Sequence, residues 1–146
     1  MNDEKYKTRL SILDCSWFLP TDNKYGKDLF NIDKIPNSKF FDIDEVCDKS
    51  INLPHMFPKL DDFIKNAKEL DIRKNDFIVC YDRSGIFSSP RVWLTLKLFG
   101  AKNVAVLNGG YPKWLKDQMP IVKAPYVNVN FHLNIGKNKP QFNEKR

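Results

Sequence analysis

The sequence predicts one α/β domain, with a mostly parallel central sheet and helices on both of its faces. Three stretches carry that prediction. Phe77–Tyr81 (FIVCY) is almost wholly apolar, as a strand covered on both faces must be, and a loop and a helical stretch follow it directly. Leu60, Phe63, Ile64, Ala67 and Leu70 recur at helical spacing, while Lys65, Asn66, Lys68 and Glu69 fill the opposite face. Asn103–Leu107 (NVAVL) is a second run of the buried-strand kind. Strands alternating with helices in this way build parallel sheets.

Taken in order, Leu10–Asp14 (LSILD) is a short apolar run ending in an acid and reads as the first strand. Cys15–Asp33 reads as irregular, broken by Pro20 and Gly26, with Trp17 and Phe18 able to pack. Ile35-Pro36-Asn37-Ser38 is a turn, and Lys39–Ile43 (KFFDI) is the next strand candidate. A polar segment leads to the turn-rich Leu53–Pro58 (LPHMFP), and the amphipathic helix then spans Lys59–Ile72. After the central strand, Asp82–Ser89 supplies small and polar residues for a sharp loop. Ser88 or Ser89 is the expected N-cap of a helix that opens with Pro90, runs to Phe99 and closes on Gly100. Asn108-Gly109-Gly110 makes a tight turn into a short helix, Tyr111–Asp117, with Trp114 on its inner side. Tyr126–Leu133 alternates as one extended strand would. The division expected is a domain over residues 1–122 and a basic linker or tail over 123–146.

The bulk numbers limit the function classes. A chain of 146 residues makes one domain with a real core and is short for two. No apolar run approaches the roughly 20 residues of a membrane helix, and the first ten residues lack the apolar core of a secretory signal, so no membrane partner is expected. The net charge is +6, but Lys123, Lys137, Lys139, Lys145 and Arg146 against Glu144 put most of it in the tail. That is a basic tail on a near-neutral body, and no nucleic-acid partner is expected. Cys15, Cys47 and Cys80 are widely spaced, odd in number and without a CxxC pair, which fits neither a disulfide framework nor a zinc site. A reducing compartment, cytoplasmic with a mitochondrial location left open, follows as the expectation, with no metal and no cofactor.

Three features could carry chemistry. Cys80 lies inside the apolar strand and reads as core; Cys15 and Cys47 sit in loop-like surroundings with no histidine or helix start nearby and read as structural or incidental. The loop Asp82-Arg83-Ser84-Gly85 occupies the place where α/β folds gather backbone amides and a helix dipole around an anion. A cysteine at its first position would be an activated nucleophile. Asp82 instead fills such a pocket with its own charge, and it has no sulfur to carry a persulfide. Arg83 either forms a salt bridge or lies in solvent. Finally, His55 is presented by a Pro-flanked turn, and Asp44 ends a strand candidate; a carboxylate there could hold the imidazole tautomer and support its charge. His132 lies in the tail with no visible partner.

In this combination the segments resemble the rhodanese family. The resemblance runs from about Leu10 to about Pro120 and rests on LSILDCSWFLP, IPNSKFFDID, LPHMFP, FIVCYD leading into SPRVWLTLKLFGAKNV, and LNGGYPKWL. It implies the N-terminal domain of a two-domain sulfurtransferase. In such proteins the persulfide-carrying cysteine belongs to the C-terminal domain, and the N-terminal domain commonly has Asp at the corresponding position, as at Asp82. The implied reaction moves sulfane sulfur from 3-mercaptopyruvate or thiosulfate to a thiol acceptor or cyanide. The implied partners are a second rhodanese domain of the same chain, a small sulfur donor and a thiol acceptor. Asp44 and His55 match the auxiliary residues of the mercaptopyruvate-using branch, completed by a Ser of the other domain. The chain departs from the family's His-Ile-Pro-Gly-Ala at Lys34-Ile35-Pro36-Asn37-Ser38. On this reading the chain alone is inactive. A stand-alone inactive module for protein binding or regulation is the alternative, and an enzyme using Cys80 or Cys47 as nucleophile is a third reading.

Overall fold

The computed structural model describes residues 8–124 and the backbone of residues 129–134 and 139–144. Strand β1 (Leu10–Asp14) enters the sheet, and the 3-10 turn Pro20–Asp22 and helix α1 (Gly26–Phe30) follow. Strands β2 (Asp33–Lys34) and β3 (Ser38–Phe40) lead through a long loop to α2 (Leu60–Glu69). Then come β4 (Phe77–Tyr81), α3 (Ser89–Leu98), β5 (Asn103–Val106), α4 (Gly110–Lys116) and β6 (Val122–Lys123). The central sheet has the order β3-β1-β4-β5 and is parallel throughout, with Leu13 opposite Lys39 and Cys80, and Cys80 opposite Val106.

Strand periodicity sorts the core into two layers. On one face Leu13, Cys15, Ile78 and Cys80 meet Phe63 of α2 and Val92 and Leu96 of α3. Phe63 and Phe99 stack at 4.2 Å between the two helices. On the other face Tyr81 meets Tyr111 of α4, with Ile35, Ile12 and Trp114. Helices on both faces are therefore present, and of the two strands central to the prediction β4 matches it and β5 ends one residue short of it, at Val106.

Several boundaries differ from the sequence reading, each for a local reason. Cys15–Asp33 is not irregular throughout, since it contains the 3-10 turn and α1. The strand expected over Lys39–Ile43 starts at Ser38 and stops at Phe40. Asn37 takes a left-handed φ of 60°, and Ser38 Oγ donates to the Ile35 carbonyl at 2.7 Å, so Asn serves the turn where glycine is the usual choice. Helix α2 ends at Glu69, not at Ile72, because Asp71 turns left-handed (φ 47°) and the amides of Asp71 and Ile72 close back on Lys68 and Ala67. The Lys39 ammonium and the Arg9 guanidinium add donors to the Leu70 and Asp71 carbonyls there. Gly100 (φ 92°) closes α3 in the same manner, as its position predicted, with its amide on Lys97 and that of Ala101 on Leu96.

Cys15 lies in irregular chain just past β1, as its sequence surroundings suggested, and is fully buried, in keeping with a structural role. The alternation over Tyr126–Leu133 falls partly outside the described residues; its described part belongs to β7 (Val129–Asn134), which pairs antiparallel with β8 (Lys139–Glu144). His132 lies in β7. Among the described residues no helix is long and apolar enough to cross a membrane.

Candidate functional site

The loop after β4 is built around Asp82, which is fully buried. Its Oδ1 accepts the Ser84 amide at 3.0 Å. Its Oδ2 accepts the amides of Phe87, Ser88 and Ser89 at 2.9, 3.0 and 2.9 Å, and the Ser89 hydroxyl at 2.7 Å. Those donors are the unpaired amides at the start of α3, so a residue six positions upstream of Ser88 caps the helix. Ser88 holds the N-cap position, yet its hydroxyl does not cap. It donates to the Cys15 carbonyl at 2.6 Å and accepts the Trp17 amide at 3.1 Å. Burial pushes the Asp82 carboxyl up, but the converging donors outweigh it and hold the group below the usual carboxylate range.

Arg83 forms a salt bridge and is nearly buried, which settles the open alternative. Its guanidinium reaches Asp14 at 3.1 Å and Asp33 at 2.9 Å, and lies over the Tyr111 ring at 4.4 Å. Burial works against its charge, and the two carboxylates outweigh burial and hold it above its ordinary value. Burial likewise pushes Asp14 up, against its bonds to Ser16 and the Arg83 charge. The Tyr111 hydroxyl donates to Asp33 at 2.8 Å and closes the cluster. Ser84 is exposed, and Gly85 takes a φ of 109° opposite Asp82. No cysteine stands in the loop Asp82-Arg83-Ser84-Gly85, and its cation is committed to the fold.

The other pair is brought together as the sequence proposed. Asp44 follows β3 in a turn shaped by Asp42, whose Oδ1 accepts the amides of Asp44 and Glu45 at 3.0 and 3.3 Å. His55 sits in the Leu53–Pro58 turn with a left-handed φ of 57°, uncommon for a residue with a side chain. Nε2 of His55 lies 2.7 Å from Oδ1 of Asp44. A carboxylate only accepts, so this contact assigns a hydrogen to Nε2 and leaves Nδ1 outside the pair. The Asp44 side chain is 57% exposed and that of His55 29%, so both are open to solvent. An open groove of about 690 Å³ runs beside them, lined by Trp17, Phe18, Tyr25, Phe40, Asp44 and His55 among others.

Two residues of this site were not singled out by sequence reasoning. The Trp17 indole N–H donates to the same Asp44 Oδ1 at 3.2 Å, and its ring meets the imidazole edge-on at 4.7 Å. Arg91 donates to the His55 carbonyl and lies over the Phe57 ring at 3.8 Å. Trp17 reads as a packing residue in sequence, and nothing local to Pro-Arg-Val marks Arg91 as facing a turn 36 positions upstream. Cys47 donates its S–H to the Asp44 carbonyl at 3.0 Å. Burial pushes that thiol up, more than Lys49 offsets, and burial with the neighbouring Cys80 pushes Cys15 well up, so neither is activated as a thiolate. Cys80 is fully buried, as its strand predicted. Among the described residues no cluster of His, Cys, Asp and Glu could hold a metal.

Residues 1–117 match the Rhodanese-like domain family. The chain belongs to the rhodanese family. This rhodanese domain is 41% identical over 114 residues to a probable 3-mercaptopyruvate sulfurtransferase of Schizosaccharomyces pombe, covering 78% of this chain and 38% of that protein. It is 40% identical over 105 residues to thiosulfate/3-mercaptopyruvate sulfurtransferase 1, mitochondrial, of Arabidopsis thaliana, covering 72% and 28%. The crystal structure of SseA from Escherichia coli, described among 3-mercaptopyruvate sulfotransferases, superposes with a TM-score of 0.74 at 30% identity, over 78% of this chain and 44% of that one. The rhodanese domain thus spans less than half the length of each of these relatives.

Proposed function

We propose that this chain is the N-terminal, non-catalytic rhodanese domain of a sulfurtransferase that moves sulfane sulfur from 3-mercaptopyruvate, or thiosulfate, to a thiol acceptor or cyanide. The single observation that carries the reading is the seat of Asp82. Its carboxylate takes four amides and a hydroxyl in the loop where the fold could hold a nucleophile and an anion. A second anion brought there would meet a buried negative charge. Cys15 and Cys80 are sealed in the core and burial pushes the Cys47 thiol up, which supports placing the persulfide on a cysteine of a second rhodanese domain.

This domain contributes Asp44 and His55 to the shared site. The carboxylate orients the imidazole and supports its charge while Nδ1 serves a group of the other domain. Exposed apolar side chains near the pair favour a covered face over a bare one: Phe87 stacks on Trp17, and Leu53, Ile86 and Phe87 are all more than half exposed. Relatives named for 3-mercaptopyruvate support that donor first and thiosulfate second. Three free thiols suit a reducing compartment, cytoplasmic or, as one relative's name has it, mitochondrial.

Persulfide mapping tests the reading. The full-length natural protein is loaded with 3-mercaptopyruvate or thiosulfate, blocked and digested, and the modified cysteine is located by mass spectrometry. The expected persulfide lies outside residues 1–146. A persulfide on Cys47 or Cys80 would replace this reading with that of an enzyme using its own thiol.

A further inference from the structure

The Asp44–His55 pair does not hold its own geometry. Asp44 lies in an exposed turn, and His55 has a backbone conformation that persists only where its surroundings impose it. Two arms reach the pair, and both start from one place, the first turn of α3. In the first arm Arg91, the third residue of α3, donates to the carbonyl of His55 itself and lays its guanidinium on Phe57, two residues on. These two contacts grip the turn on either side of Met56. Arg91 makes no ion pair among the described residues, so its charge is not committed to a carboxylate elsewhere.

In the second arm the Ser88 hydroxyl ties the Trp17 amide at 3.1 Å to the Cys15 carbonyl at 2.6 Å. The indole of Trp17 then donates to the Asp44 oxygen that also meets His55, and its ring borders the imidazole. Phe87, just before Ser88, stacks on Trp17 at 6.3 Å. The amides of Phe87, Ser88 and Ser89, where both arms are rooted, are all held by Asp82. The Asp82 loop and the pair that faces the groove are thus one connected structure.

We propose that the Asp82-capped start of α3 is the platform that positions the pair, with Trp17 and Arg91 as its positioning residues. Trp17 places the carboxylate and Arg91 places the imidazole. Neither touches the reacting atoms, so their effect on turnover passes through His55. The kinetic part of this inference rests on the sulfur-transfer reading; the structural part does not.

The test is a double-mutant cycle in the full-length natural protein, with 3-mercaptopyruvate and a thiol acceptor. Arg91→Met keeps the stem against Phe57 and removes the donor. It should lower kcat about tenfold with KM within about twofold, and Trp17→Phe should lower kcat about threefold. Arg91→Lys, which restores a donor, should recover most of the loss. In a His55→Ala background neither substitution should lower turnover further. An equal fold-loss with and without His55 would show a general structural role and overturn the proposal. A second readout is independent of activity: the ring nitrogens of His55, assigned by their loss in a His55→Ala sample, can be followed by long-range ¹⁵N–¹H spectra. Arg91→Met should move the His55 Nε2 signal toward that of an unpaired imidazole. If it does so while no form turns over 3-mercaptopyruvate, the positioning stands and the sulfur-donor reading falls. If the signal stays in place, the positioning falls whatever the kinetics.

Discussion

Asp82 decides how the centre of this molecule works. A buried carboxylate is costly unless its acceptor capacity is filled, and here four amides and a hydroxyl fill it. Asp82→Asn halves the oxygens and points an amide at donors, so a loss of about 1–3 kcal/mol is expected in urea unfolding. The pH dependence has a definite sign. The folded carboxyl lies below the usual range, so its contribution is fully present above the unfolded value of about 3.9 and is lost as pH falls through the lower folded value. Unfolding curves of the natural and Asn forms should therefore differ most at neutral pH and converge in acid. Asp14 opposes this trend, since burial pushes it up, and it is common to both forms. Curves that stayed parallel down to about pH 2 would remove Asp82 from the account of stability. The identity of this residue is plain in sequence; its role as the cap of α3 is not, because the bonds join it to residues five to seven positions on, through loop geometry no periodicity reports.

The elements most legible in the sequence are those with strong periodicity and their own punctuation. Strand β4 is a continuous apolar run, α2 has an apolar stripe, and α3 is framed by Pro90 and Gly100. Helix α1 is not legible because five residues beginning with glycine show no stripe. The end of α2 is not legible in the sequence because a left-handed Asp71 takes the place usually signalled by glycine. The Gly109-Gly110 turn was legible, but not its reason. Gly110 (φ 56°) begins α4 where a Cβ would lie 2.1 Å from the Gly85 carbonyl oxygen and 2.7 Å from that of Asp82. Gly110→Ala should therefore force the α4 start away from the Asp82 loop and destabilise the domain by more than the roughly 1 kcal/mol of a simple glycine effect. Amide exchange at Tyr111, which donates to the Asp82 carbonyl, should accelerate. Unchanged exchange there would mean that the two loops do not press on one another. On the opposite face Phe63→Ala opens the Phe63–Phe99 stack between α2 and α3 and should cost about 3–5 kcal/mol by thermal or urea unfolding.

At the scale of the whole molecule, the sheet places its loop chemistry and its side-chain pair at one end but divides their duties. Residues at the C-terminal ends of β1 and β4 (Asp14, Tyr81, Asp82, Arg83) are consumed by the fold, in an ion cluster with Asp33 and Tyr111 and in the cap of α3. What stays accessible is Asp44 with His55, beside an open groove and exposed apolar side chains. The parallel architecture and the pairing of Asp44 with His55 could be read from sequence, the first from alternation of elements and the second from a family resemblance at a matching spacing. Trp17 and Arg91 could not, because tertiary contacts 27 and 36 positions long define their roles. The central claim is that this domain lends His55 to a reaction whose nucleophile lies elsewhere. Steady-state turnover of 3-mercaptopyruvate by the full-length natural protein carrying His55→Ala tests it most directly. The prediction is a fall in kcat of about a hundredfold or more with an unchanged melting temperature; turnover equal to that of the natural protein would contradict it.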